Sequence, residues 1–188
     1  MKRFIGKLLI IIGVLTIGVV VYINYKTAKI NEQFVNEYKN VSQNVTSKKD
    51  NYEIGDVIGI LNIPKIDLEV AIKRGVTNEV LNDAIGHFEN TPMPYENGNF
   101  SLAGHSAYVS NKFFSKLDKL DLGDEIDVLL NNKVFKYKVN SIDVVTPDRI
   151  DVVESSDKNK KEITLVTCTP KYVGSHRLIV KGKFVESR

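Results

Sequence analysis

Cys168 ends the run Thr164-Leu165-Val166-Thr167-Cys168 and is the only cysteine in the 188-residue chain. A lone thiol can neither close an intramolecular disulfide nor supply a multi-cysteine zinc site. It is then either a nucleophile or a small buried hydrophobe, free cysteine being among the most buried residue types. Its neighbours favour the nucleophile. Thr169-Pro170 breaks the β-rich run, because proline cannot donate to a ladder, and this places the sulfur at the mouth of a sheet. Arg177 opens the next such run after a loop containing Gly174. If the two strands pair, the guanidinium comes near the sulfur, where it favours negative charge on a thiolate or an oxyanion. Arg177 also has a plainer reading as a charge that protects a sheet edge.

A cysteine nucleophile needs a proton-transfer partner, and the chain has three histidines. His105 ends the strand-like run Phe100-Ser101-Leu102-Ala103-Gly104, between a glycine and a serine that permit close approach. His87, in Gly86-His87-Phe88-Glu89, is equally suited to a structural hydrogen bond. His176 is nearest to Cys168 in sequence, but it faces away if Arg177 faces the site, since side chains alternate along a strand. The residues alone favour His105 and leave the other two open.

The elements that must carry these residues are mainly strands: Val57–Ile63, Leu68–Lys73, Asn99–Gly104, Glu125–Leu130, Val134–Val145, Glu162–Cys168 and Arg177–Val185. Asn131-Asn132-Lys133 between two alternating runs reads as a hairpin turn. From Tyr52 onward helical patterns cover only Asn78–Ile85 and Lys112–Leu120. With so few helices of crossover length, a parallel α/β fold is disfavoured and an all-β, closed or nearly closed barrel is expected.

Residues 8–23 carry no charge, and the apolar stretch extends back to Phe4. That length matches the ~20 residues that cross a bilayer as a helix, and it exceeds the ~7–15 of a signal-peptide core. Asn24-Tyr25-Lys26-Thr27-Ala28-Lys29 is also a poor cleavage site, so a retained anchor is expected, with the N-terminus cytoplasmic behind Lys2, Arg3 and Lys7. Those three bases account for the formal charge of +3, so the rest of the chain is formally neutral and nucleic acid is not an expected partner. Residues 26–51 read as a stem, with Ile30, Phe34, Tyr38, Val41 and Val45 at helical spacing and a polar tether over Ser42–Asp50. Whether the stem packs on the domain at 52–188 is left open.

Thr164-Leu165-Val166-Thr167-Cys168 resembles the TLxTC motif of sortases, the membrane-bound cysteine transpeptidases of Gram-positive bacteria. Leu102-Ala103-Gly104-His105 is similar to the strand end that bears their catalytic histidine, Arg177 matches their essential arginine, and Val145-Thr146-Pro147-Asp148 resembles the start of their substrate-covering loop. The resemblance implies an eight-stranded sortase barrel at 52–188, preceded by the transmembrane anchor at 1–25 and the stem. It implies Cys168 as nucleophile, His105 as acid and base, and Arg177 as oxyanion or backbone holder. Ala103, Val145, Pro147, Ile150 and Thr167 map onto the groove that grips an LPxTG-like sorting signal. The implied partners are secreted proteins bearing that signal and an amine of peptidoglycan or lipid II. No cofactor is expected. Asp148, Asp151, Glu154 and Asp157 form an acidic loop of the kind that holds a divalent cation in some relatives, but Arg149, Lys158, Lys160 and Lys161 interrupt or follow it. The cysteine motif is shared by classes C and D. With no second apolar span, no Asp-Pro-aromatic lid and little room for class B helices, class D is the expected subclass.

Overall fold

The structure, a computed structural model, describes residues 2–44, 52–106, 113–155, 157 and 159–188. Eight strands close into a barrel: β1 (Val57–Ile63), β2 (Leu68–Arg74), β3 (Ile85–His87), β4 (Gly98–Ala103), β5 (Glu125–Leu130), β6 (Lys133–Val145), β7 (Lys161–Thr169) and β8 (His176–Ser187). Around the barrel the order is β1-β2-β3-β4-β7-β8-β6-β5. The pairs β2/β3 and β4/β7 are parallel and the others antiparallel, so the barrel is mixed.

Period-2 patterning builds this barrel. Phe100 and Leu102 of β4, Ile163 and Leu165 of β7, Leu178 and Val180 of β8, and Ile126, Val128 and Leu130 of β5 all point into one buried core. Their sequence neighbours therefore face the opposite side of the sheet. Asn131 and Asn132 join β5 to β6 with φ of 49° and 61°, the left-handed pair that a two-residue hairpin turn demands and asparagine tolerates.

Two helical expectations change. The helix α2 stops at Asp83 (Asn78–Asp83), and Ile85–His87 becomes β3. A three-residue strand is too short to show alternation. It fits here because Gly86 lies against β2, where a Cβ would come within 2.3 Å of the Gly75 carbonyl oxygen. The expected helix Lys112–Leu120 begins outside the described residues, and its described part is turn followed by a 3₁₀ helix at Leu117–Lys119.

One helix, α1 (Lys2–Asn44), runs through the apolar stretch and into the stem without a break. Its apolar part is exposed, and it is long and apolar enough to cross a membrane. Further along, the stem packs on the barrel. Val35 is buried against Ile60, Ala71 and Ala84, with Phe34 and Tyr38 beside it. β3 pairs only with Ile72, Lys73 and Arg74 of β2, which leaves the earlier half of that edge uncovered by a strand. The Asn31 side chain fills the gap, accepting from Ala71 N (3.0 Å) and donating to the Glu69 carbonyl (2.9 Å), as a neighbouring strand would. Lys39 pairs with Glu69 at 2.6 Å, and the Tyr38 hydroxyl accepts from Asn131 N at 3.0 Å. Of the residues expected on the stem's apolar face, the Val41 side chain and Val45 lie outside the described residues, as does the greater part of the expected tether.

Candidate active site

β7 delivers Cys168 to the barrel rim one residue before the strand ends, and β8 returns antiparallel so that Arg177 lies directly opposite it. Side chains of directly opposed residues share a face. The turn between them folds back over the thiol: Gly174 takes φ +66°, and a Cβ there would stand 3.6 Å from the Cys168 Cβ and 3.9 Å from its Sγ. Gly174 N donates to the Pro170 carbonyl at 2.9 Å. The Arg177 Nη1 donates to the carbonyls of Gly174 and His176, each at 3.0 Å, which orients the guanidinium from beside the turn. Cys168 and Arg177 are both partly exposed.

His105 follows the end of β4, and hydrogen bonds from both its neighbours lace it to β7. Gly104 N donates to the Val166 carbonyl (3.1 Å), the Thr167 hydroxyl donates to the Gly104 carbonyl (2.7 Å), and the Ser106 hydroxyl donates to the Cys168 carbonyl (2.7 Å). The His105 carbonyl accepts from Phe114 N at 3.1 Å. The backbone carrying the imidazole is thereby held alongside the backbone carrying the thiol. Ser106 stood out by no signal in the chain beyond its place after His105. The bond it makes depends on a parallel β4/β7 pairing that spans more than 60 positions.

The other two histidines are placed differently. His87 is fully buried on β3, stacked on Phe100 with ring centroids 4.8 Å apart, its Nε2 hydrogen-bonded to the Thr91 hydroxyl at 3.0 Å. Burial pushes its pKa down to about 4, so it is a neutral structural residue. His176 is exposed, paired with Ser175 at 3.0 Å.

The expected groove residues separate into two groups. Ala103 opposes Val166 on β7, and Val145 opposes Arg177 on β8. By parity, Ala103, Val166, Cys168, Arg177 and Val145 line one continuous outer face of β4-β7-β8-β6. Pro147 and Ile150 stand beyond it on the β6–β7 connection, with Ile150 77% exposed. Thr167 does not share that face: it is buried, and its hydroxyl is spent on Gly104. It lines instead a cleft of about 210 Å³ that reaches Cys168 from the other side, between Ser106, Phe114, Asp118, Lys171 and Leu178. The Lys171–Asp118 ion pair, 2.7 Å long, lies in its wall. Cys168 is thus approached both from the outer sheet face and from this cleft.

In the acidic loop Asp151 and Asp157 meet cations of the chain. Arg149 holds Asp151 through two hydrogen bonds of 2.7 Å, which keeps that carboxyl below the usual range, and Asp157 pairs with Lys160 at 2.9 Å. Among the described residues no three His, Cys, Asp or Glu side chains gather as a metal would require.

A family model described as "Sortase domain" matches residues 61–185. Among curated proteins, Sortase SrtE1 of Streptomyces coelicolor is 33% identical over all of this chain and 58% of its own length. Sortase D of Bacillus subtilis is 35% identical, over 71% of this chain and 66% of its own. The chain thus spans little more than half the length of the first of these relatives. Among solved structures, a Clostridium perfringens sortase D5 transpeptidase superposes with TM-score 0.74 at 36% identity, covering 84% of this chain and 99% of its own. A C. perfringens sortase C with its C-terminal cell wall sorting motif superposes with TM-score 0.68 at 30% identity, covering 95% and 99%.

Proposed function

The chain belongs to the sortase family, and from that premise we propose that it is a membrane-anchored cysteine transpeptidase. In this reading it cleaves an LPxTG-like C-terminal sorting signal and joins the released protein to an amine of the cell wall, as a class D enzyme. The likeness to the sortase D5 transpeptidase supports the class. The apolar part of α1 supports the anchor, with the N-terminus cytoplasmic behind Lys2, Arg3 and Lys7 and the barrel outside.

The observation that carries the proposal is the lacing of three segments at one rim: Cys168 opposite Arg177 across β7/β8, with Gly104 and Ser106 tying the backbone of His105 to the same strand end. In the mechanism that follows, the Cys168 sulfur attacks the carbonyl of the signal's threonine, and the carbonyl electron pair moves to an oxyanion beside Arg177. Collapse breaks the C–N bond. His105 gives its proton to the departing amine, leaving a thioacyl-enzyme. The acceptor amine then attacks the thioester and loses its proton to His105, and the sulfur leaves as thiolate, which restores the thiolate and protonated histidine that began the cycle. Two approaches to one sulfur suit a donor and an acceptor that must both reach it: the outer face with Ala103 and Val145 for the peptide, and the cleft beside Phe114 and Leu178 for the amine.

Incubating the enzyme with LPxTG-type pentapeptides and an amine acceptor, then weighing the products, tests this. Ligated product and a mass adduct on Cys168 are expected, and both should vanish in C168A. Acid product alone in the presence of amine would mean a protease instead, and turnover by C168A would refute the assignment.

A further inference from the structure

Asn99 lies on β4 opposite Glu162, four residues before Ala103 and thus roughly 13 Å along the strand from the rim. It is 1% exposed, and its side chain does not belong to the barrel core. Its Nδ2 reaches out to the β6–β7 connection, lying 3.0 Å from the Val153 carbonyl, 3.1 Å from that of Glu154 and 3.4 Å from that of Val152. Its Oδ1 accepts from the Thr164 hydroxyl on β7 at 2.9 Å. The three carbonyls fix which way the amide points, because they can only accept and must meet the NH₂, which turns the oxygen toward the Thr164 hydroxyl. Ser101, two residues on and on the same face, donates to the Val153 carbonyl at 3.0 Å. Val152, at 9% exposure, is the one buried residue of the connection's short 3₁₀ helix, Ile150–Val153.

We propose that Asn99, braced by Thr164 and assisted by Ser101, is a positioning residue that latches the β6–β7 connection to the sheet and thereby sets where Pro147 and Ile150 stand beside the peptide groove. The latch acts on signal binding and leaves the reacting groups alone, since β4 and β7 are separately held at the rim by Gly104 and Ser106. Three carbonyls converging on one amide give an unusual chemical specificity. Aspartate has the same shape, but at neutral pH it offers only oxygens and would repel all three. Asp151 and Asp157 of the same connection do not supply this hold, since they pair with their own neighbours Arg149 and Lys160. The proposal rests on the reading of this face as a peptide groove, but the latch itself can be examined without any peptide.

The test compares N99D and T164V with the wild-type full chain in three measurements: hydrogen exchange over residues 146–155, alkylation of Cys168 by iodoacetamide, and steady-state transpeptidation of an LPxTG-type peptide. N99D should speed exchange in that segment while β4 and β7 stay protected. It should raise KM for the peptide on the order of tenfold with kcat within about twofold, and leave the alkylation rate unchanged. T164V keeps the shape of threonine and loses only the hydroxyl that donates to the Asn99 oxygen, so it should move exchange and KM the same way by less. Unchanged exchange in a folded N99D overturns the latch. A fall in kcat and alkylation rate with KM constant overturns its confinement to binding. If N99D fails to fold, T164V alone decides by the same criteria. If the wild-type enzyme processes no signal peptide, the peptide-groove reading fails, whereas the exchange result still judges the latch.

Discussion

In the proposed mechanism Arg177 acts through the shape of its head group as much as through its charge. Nη1 is committed to the carbonyls of Gly174 and His176, so the remaining N–H groups of a rigid fork are aimed from a fixed origin. Lysine would keep the charge and lose the fork. R177K is therefore expected to lower kcat by about 10²-fold, the scale of one lost oxyanion donor, with thermal stability near that of wild type. A near-normal kcat would show that charge alone suffices. His87 gives a different prediction, about stability and pH. Its pKa falls from 6.5 to about 4 in the fold because burial excludes the charged ring. The unfolded chain binds a proton that the fold refuses, so stability present above pH 6.5 is lost as pH falls toward 4, by at most about 1.4 kcal/mol per pH unit. Urea midpoints measured across that window should drop, and H87Q, which retains a partner for Thr91, should give a flatter profile. Parallel profiles would assign the acid sensitivity to other groups.

Where strands meet, Gly104 is the junction on which His105 depends. A Cβ at Gly104 would lie 2.8 Å from the Phe114 ring and 3.1 Å from Ile85, and Phe114 is buried. G104A is expected to cost about 1–3 kcal/mol, as overpacking does, and to lower kcat by shifting the histidine's backbone away from β7. Wild-type melting and turnover together would contradict this. At this same level the reach of sequence reasoning shows clearly. The alternation of β5, β6, β7 and β8 marks each as a strand, and the spacing of Cys168 and Arg177 about a glycine turn foretells their opposition, because a hairpin is a local object. His105 joins them only through the parallel β4/β7 pairing, which no spacing encodes, so residue pattern alone favours His105 but leaves three histidines in play, and the sortase resemblance is needed to single it out. β3 was missed for a similar reason: three residues flanked by a helix cannot display a period. Thr167 was grouped with the groove by likeness, yet strand parity turns it inward.

At the scale of the whole molecule, the stem is part of the folded unit. Val35 is buried, and the Asn31 amide stands in for a missing strand along β2. A chain starting at Tyr52 should therefore melt several degrees below one starting at Lys26, consistent with losing a buried valine at about 1.5–3 kcal/mol. It should also self-associate through the uncovered edge at high concentration, as light scattering would detect. Equal melting temperatures would mean that the docking adds nothing. The amphipathic spacing of Phe34 and Tyr38 announces a helix, but not the surface it meets, since that depends on where the neighbouring strand runs out.

The unbroken passage of α1 from its apolar part to Asn31 also has a mechanical meaning. With the apolar stretch in a bilayer as proposed, only the residues from Tyr25 to Asn31 separate lipid from docked stem, a rise of about 9 Å. Such a mount behaves as a bracket and not as a leash. The thiol rides at one height and one tilt above the headgroups, and it cannot swing outward to fish for cargo in the surrounding medium. Under the proposed function both reactants then reach it along the plane of the lipid, which turns a search through volume into a search over a surface.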